Sequence, residues 1–405
     1  MIRKHTISLI LICLTSINIY AEKGDSISGK IKHFFGIDLK PAYTIPSKDF
    51  FRGENMAGTP INANLSGHIK YGFKFGQESY MGRMYPNTIQ GIGIGYNTFY
   101  NREEMGNPLA VYVFQTSRIA TLAPNLSLDY EWNFGASFGW KKFDAEKNPY
   151  NTIVGSNANA YINLGFLLNW QITPEMAIRV GAGLSHYSNG NTSYPNFGVN
   201  TLDSRIGLLW SPQDNRNSNI SPHKGDYISQ KYRFKPYINY DLILYGSTKK
   251  KGIMWEDGSG TLIPGVFAVA GLNFTPMYNF SKFFRAGLSL DAQYDESANI
   301  TDHVANTDTP TDDVKFYRPP FIEQFSVGLS ARAEIVMPIF SINLGIGKNF
   351  ICRGEDTNSF YQTFVLKTSI TKKMFLHVGY QLYKFKDPNN LMLGIGYRFN
   401  ASKFM

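Results

Sequence analysis

His186 and Ser188 stand two residues apart in the stretch Gly183-Leu184-Ser185-His186-Tyr187-Ser188-Asn189-Gly190. A serine hydroxyl is a weak nucleophile until an adjacent base takes its proton. An imidazole and a hydroxyl within hydrogen-bond reach can therefore open an ester through a covalent acyl intermediate. Residues two apart on a strand share a face, and the residues before the pair say which face. Met176, Ile178, Val180, Ala182 and Leu184 alternate with Ala177, Arg179, Gly181, Gly183 and Ser185. His186 and Ser188 continue the apolar series. In a water-soluble protein that stripe would line a core. In a membrane strand it faces lipid, and a hydrolytic pair there has a lipid as its substrate.

The elements that must position the pair read as strands. The chain of 405 residues holds 25 Tyr, 30 Phe and 37 Gly. Beyond its N-terminus no segment offers the ~20 consecutive apolar residues of a membrane-spanning helix, whereas a membrane strand needs only ~9–11. Alternating segments lie at 39–46, 65–76, 89–100, 108–121, 126–143, 157–172, 176–188 and 201–211. After a polar stretch they resume at 232–247, 261–279, 283–296, 322–336, 339–350, 360–370, 374–385 and 391–399. Short connections such as 123–125, 173–175 and 371–373 alternate with long ones such as 47–64, 144–156 and 189–200. Short periplasmic turns, long external loops and abundant aromatics characterise outer-membrane barrels. The expected fold is an all-β transmembrane antiparallel β-barrel of about 14–16 strands closing as one ring, the alternative being two tandem 8-stranded barrels. Counting back from a periplasmic C-terminus, segment 176–188 runs outward, which sets His186 and Ser188 at the level of the outer leaflet.

The expected organisation follows. Residues 1–21 read as a signal peptide, with Arg3, Lys4 and His5 before an apolar run from Ile7 to Ile17 and Ala21 at the cleavage point. Residues 22–38 form an N-terminal segment, 39–211 a first barrel half with the pair, 212–231 a polar periplasmic linker, and 232–400 a second half. The expected location is the outer membrane of a Gram-negative-type cell. Cleavage would leave one cysteine, Cys352, which excludes a disulfide within the chain. The net charge of +9, or +7 without Arg3 and Lys4, suits a surface rich in lipid phosphates. No compact basic motif points to nucleic acid, and no glycine-rich phosphate loop points to a nucleotide. The remaining histidines lack metal-ligand spacing, so no metal and no cofactor is expected. Glu103-Glu104, Asp312-Asp313 and Lys249-Lys250-Lys251 fall in external loops and read as solvated charge, the lysines facing the phosphate-rich outer surface.

A weak internal repeat appears at an offset of 198: Ile172, Thr173, Met176, Val180, Gly181 and Leu184 recur as Ile370, Thr371, Met374, Val378, Gly379 and Leu382. In the second copy Lys384 and Lys386 stand where His186 and Ser188 stand. Two lysines cannot perform nucleophilic hydrolysis but could contact lipid phosphates.

The run His186-Tyr187-Ser188-Asn189 followed by Asn196-Phe197-Gly198-Val199-Asn200 resembles the lipid A 3-O-deacylase (acyloxyacyl hydrolase-like) family of outer-membrane β-barrels, over roughly residues 39–212. That family carries His-x-Ser-Asn and then Asn-x-Gly-x-Glu. The resemblance implies a carboxylic ester hydrolase that removes an acyl chain from lipid A of lipopolysaccharide. It implies Ser188 as nucleophile, His186 as general base, and Asn189 and Asn196 as oxyanion donors. The family's acid falls on Asn200, which can accept from the histidine but brings no charge to stabilise an imidazolium. Asp203 is close in sequence but has the opposite strand parity. A non-catalytic barrel, acting as a lipid-binding protein, channel or transporter, is the alternative.

Overall fold

The computed structural model describes residues 31–76, 79–212, 234–254, 260–305, 314–385 and 387–399. The signal-peptide segment, residues 213–231 of the linker, His223, Asp312-Asp313 and Lys386 lie outside the described residues.

Two closed antiparallel barrels of eight strands each make up the fold. The first contains β1 (Lys32–Ile45), β2 (Ala63–Lys74), β3 (Thr88–Thr98), β4 (Gly106–Ala123), β5 (Leu126–Trp140), β6 (Ala158–Gln171), β7 (Met176–Ser188) and β8 (Val199–Trp210), and closes by pairing β1 with β8. The second begins with β9 (Tyr237–Lys249), followed by a small separate hairpin of β10 (Gly252–Met254) and β11 (Gly260–Leu262). It continues through β12 (Phe267–Asn279), β13 (Phe284–Asp295), β14 (Phe325–Val336), β15 (Phe340–Ile351), β16 (Phe360–Ser369), β17 (Met374–Tyr383) and β18 (Asp387–Phe399). β18 pairs back onto β9.

The transmembrane barrel class and strand total are as the sequence led us to expect, but the strands close as the two-ring alternative and not as one ring. The start of β1 explains this. The strand begins at Lys32, inside the expected N-terminal segment, and the added residues let it pair with β8 from Phe35↔Trp210 to Ile45↔Asn200. Asp38, the last residue of that segment, and Lys40, inside the expected strand 39–46, are both buried. Both face the barrel interior, where the charges of other strands satisfy them.

In each barrel the polarity of a soluble protein is inverted. Ile37, Leu39, Ile69, Leu164, Phe166, Val180, Leu184, Leu202 and Ile206 are exposed on the outer face of the first barrel, and Leu244, Leu288, Leu290, Leu329, Leu344 and Ile395 on that of the second. Apolar area of this extent is stable against hydrocarbon. Closing each sheet also leaves no unpaired backbone edge for lipid to meet.

The interior of the first barrel is filled. Glu131 accepts from Arg205 Nη1 at 2.7 Å and Thr116 Oγ1 at 2.8 Å, pairs with Lys70, and lies 3.4 Å from Arg179 Nη1. Asp38 takes Lys70 at 2.7 Å and Arg179 Nη2 at 3.2 Å. Toward the end that carries the site, Tyr112, Tyr161, Tyr187 and Trp140 pack in a row with ring centroids 5.1–5.3 Å apart, Tyr161 stacked on Tyr187 and the outer two pairs edge to face. The second barrel has its own network, in which Asp241 and Glu334 hold Lys367, Arg398 and Arg285. Glu131→Gln would leave Lys70, Arg179 and Arg205 short of a buried counter-charge. We expect a loss of about 3–5 kcal/mol, the usual effect of breaking a buried pair on one side, measured as a lower urea midpoint in detergent. An unchanged midpoint would show that the network does not hold the barrel together.

Candidate active site

The site lies on the outer face of the first barrel, at the end bearing the loops 46–62, 99–105, 141–157 and 189–198. β7 presents its buried residues Arg179, Ser185 and Tyr187 to the interior, so His186 and Ser188 project outward, in line with exposed Val180 and Leu184. β8 has the same parity: Thr201, Asp203 and Arg205 are buried inside, while Leu202, Ile206 and Leu208 are exposed outside. Asn200 shares the outward set and sits directly across from His186 in the β7–β8 register. On its other side, Asn200 pairs with Ile45 of β1.

Three side chains form a relay. His186 Nε2 lies 2.9 Å from Ser188 Oγ, and His186 Nδ1 lies 2.7 Å from Asn200 Oδ1. An amide oxygen only accepts, so the hydrogen belongs on Nδ1, and the lone pair of Nε2 faces the serine hydroxyl. That tautomer can take the proton of Ser188. Asp203, in contrast, points inward and accepts from Ser185 Oγ at 3.1 Å and Asn163 Nδ2 at 3.0 Å. It plays no part in orienting the histidine.

The loop after β7 is braced by its own amides. Asn189 is buried, and its side-chain Nδ2 donates to the carbonyls of Ser193 at 2.9 Å and Pro195 at 3.4 Å. Both hydrogens of that amide are thereby used, so the expectation that it is free to meet an oxyanion is corrected by the loop it supports. Asn196 Oδ1 accepts the backbone N–H of Asn189 at 2.9 Å, and its Nδ2 donates to Asn191 Oδ1 at 3.2 Å, which leaves that amide a second hydrogen. The loop is tied to its neighbour by a bridge between Val154 and Asn196 and by Phe197 N–H donating to the Ile153 carbonyl at 3.3 Å. Ile153 and Val154 belong in turn to the apolar cluster with Phe50, Phe51, Met105, Trp140 and Tyr187.

Gly198 lets the loop pass over the imidazole. Its φ is +72°, and a Cβ there would come within 2.9 Å of His186 Cε1. Gly198→Ala should therefore push the ring off line with Ser188. We expect a fall in kcat of about 10²-fold, as a displacement of ~1 Å in a reacting group can cost that much, alongside a modest loss of stability of about 1–2 kcal/mol from the left-handed backbone. Steady-state hydrolysis and a melting curve on the same variant check this, and wild-type turnover would contradict it.

The other candidates go elsewhere. Lys384 is exposed in a turn where it and Phe385 have φ of +51° and +62°, so it does not occupy the strand position that His186 has in β7. The connection after β17 is only 384–386, against 189–198 after β7, and no counterpart of the Asn196–Asn200 segment fits there. Lys249 is not a solvated loop charge: it is buried at the end of β9 and donates to Asp295 at 2.5 Å and Asn389 at 2.7 Å. Glu104 is also buried, accepting from Met56 N–H and Asn101 Nδ2, while Lys251 pairs with Asp356 at 2.7 Å.

Comparison with known proteins bears on both barrels. Residues 90–208 match the model of the lipid A 3-O-deacylase (PagL) family, and residues 238–401 match that of the acyloxyacyl hydrolase C-terminal domain. No curated protein matches the chain. Similar solved structures include Neisserial surface protein A, at 9% identity and a TM-score of 0.31, covering 44% of this chain and 96% of that one. The siderophore receptor PirA from Pseudomonas aeruginosa aligns at 9% identity and a TM-score of 0.25, covering 91% and 80%. The CymD monoaromatic hydrocarbon channel aligns at 9% and 0.18, covering 96% and 91%. With one model matching each barrel, the chain belongs to the lipid A 3-O-deacylase (acyloxyacyl hydrolase-like) family of outer-membrane β-barrels, which are ester hydrolases.

Proposed function

We propose that this protein is an outer-membrane serine esterase that removes an ester-linked acyl chain from lipid A on the lipid-facing surface of its first barrel. The observation that carries the reading is the unbroken relay Ser188–His186–Asn200 on an outward, apolar face. Ser188 Oγ attacks the ester carbonyl while His186 Nε2 takes its proton. The tetrahedral intermediate collapses as His186 returns that proton to the departing sugar oxygen, leaving the acyl group on Ser188. Water, deprotonated by His186, then attacks the acyl-enzyme, and the fatty acid leaves as Ser188 regains its hydrogen. The second amide hydrogen of Asn196 is the side-chain donor for the oxyanion, and Asn189 serves by fixing the loop that carries it. The acyl chain lies along Leu184 and Leu202 toward a shallow depression of about 640 Å³ lined by Pro41, Tyr43, Asn62, Ala182 and Ser204. A signal peptide at 1–21 delivers the chain for export, and Lys384 with Lys386 offers the second barrel a lipid-phosphate contact.

A long-chain alkyl fluorophosphonate tests the nucleophile. The purified protein in detergent should gain one adduct, mapped by peptide mass spectrometry to Ser188 and lost in His186→Ala. An adduct elsewhere, or none, counts against the reading.

A further inference from the structure

Lys48 lies on the 46–62 loop, just past the end of β1 that pairs with β8 at Ile45↔Asn200. Its ammonium sits 4.1 Å from the ring centroid of Phe197, the residue before the glycine that packs on His186. Phe197 is itself exposed, so ammonium and ring together form a ledge in the loop region next to the relay. The nearest acid in sequence is already committed: Asp49 accepts from Arg52 at 2.7 Å. Among the described residues no carboxylate pairs with Lys48. An ammonium over the face of an aromatic ring is attracted by the ring quadrupole, which favours this placement of the exposed Lys48 side chain.

An ester-linked lipid arrives in a fixed orientation. Its acyl chain stays in hydrocarbon, its ester meets Ser188, and its headgroup projects past the strand ends toward this ledge. We infer that Lys48, held by Phe197, is the specificity-determining residue that receives a phosphate of the lipid A headgroup and so positions the ester on Ser188. This assignment rests on the lipid esterase reading above. It explains why the loop between β7 and β8 carries an exposed aromatic ring next to a glycine, where packing on His186 requires only the glycine.

Binding separates the two claims. In a Ser188→Ala background, which cannot turn over, the protein in neutral detergent is titrated with diphosphorylated lipid A and with enzymatically dephosphorylated lipid A. Adding Lys48→Gln should weaken the phosphorylated ligand about tenfold, as expected for one charge-assisted hydrogen bond. The dephosphorylated ligand should bind as before, and Lys48→Arg should restore the preference. Equal weakening of both ligands would assign Lys48 a merely structural role and overturn the inference, as would no weakening of either. Because no turnover is needed, a wild-type protein that binds in this way yet hydrolyses nothing would refute the esterase reading alone.

Discussion

Ser188→Ala is expected to abolish fatty-acid release from lipid A, lowering kcat by at least about 10³-fold while the barrel stays folded. The hydroxyl is the only group in the relay that can form the acyl intermediate, and nothing else in the barrel depends on it. It lies on the outer face, apart from the buried network around Glu131 and Asp38. His186→Ala should cost a similar factor, because the serine is left without its base. The double variant should be little worse than either alone, since the two side chains act as one unit. Quantifying released fatty acid from purified variants in detergent micelles checks all three. Residual turnover near that of wild type in Ser188→Ala would remove the nucleophile from the account.

The second large effect concerns Asn200. Its Oδ1 fixes the hydrogen of His186 on Nδ1 at a distance of 2.7 Å, but its amide carries no charge to balance the imidazolium that forms during attack. Asn200→Leu removes the acceptor, frees the wrong tautomer, and should lower kcat by about 10²–10⁴-fold, the scale seen when the orienting member of a triad fails. Asn200→Asp keeps the shape and adds the charge, so it should raise kcat by about tenfold. KM should change little in either variant, because Asn200 acts through His186. Steady-state kinetics on the pair is the check. If Asn200→Leu turns over normally, the histidine is oriented by something else.

The site was readable from sequence where its geometry is local. Period-two alternation from Met176 onward was enough to place His186 and Ser188 on one outward face, because a strand allows only two faces. Asn200 came from the spacing of the family motif, and the register of β7 against β8 is what turns that spacing into contact. Interactions between distant segments were not readable. The expected strand began at residue 39 and β1 begins at Lys32; the charges that balance Asp38 and Lys40 within it come from β2, β7 and β8, far away in sequence. Lys249 read as part of a loop charge run for the same reason: its partners are Asp295 and Asn389. Lys48 reaches Phe197 only once the barrel has closed, and no local pattern announces that contact.

The repeat at an offset of 198 has a structural counterpart, since 176–188 and 374–383 are the seventh ring strands of their respective barrels. The shared Met, Val, Gly and Leu positions keep a common strand frame. The Ser188–His186–Asn200 arrangement has no counterpart among the described residues there, since only residues 384–386 separate the seventh and eighth ring strands of the second barrel, against 189–198 in the first. A scaffold of this kind preserves its ring while its loops decide what it does.

The most direct measurement is the mass spectrum of lipid A from Gram-negative cells that express the wild-type chain or its Ser188→Ala variant. The account predicts lipid A lacking one ester-linked acyl chain in the wild type, with the intact species restored in the variant. Lipid A that keeps every acyl chain in both, or loses the same chain in both, would contradict it.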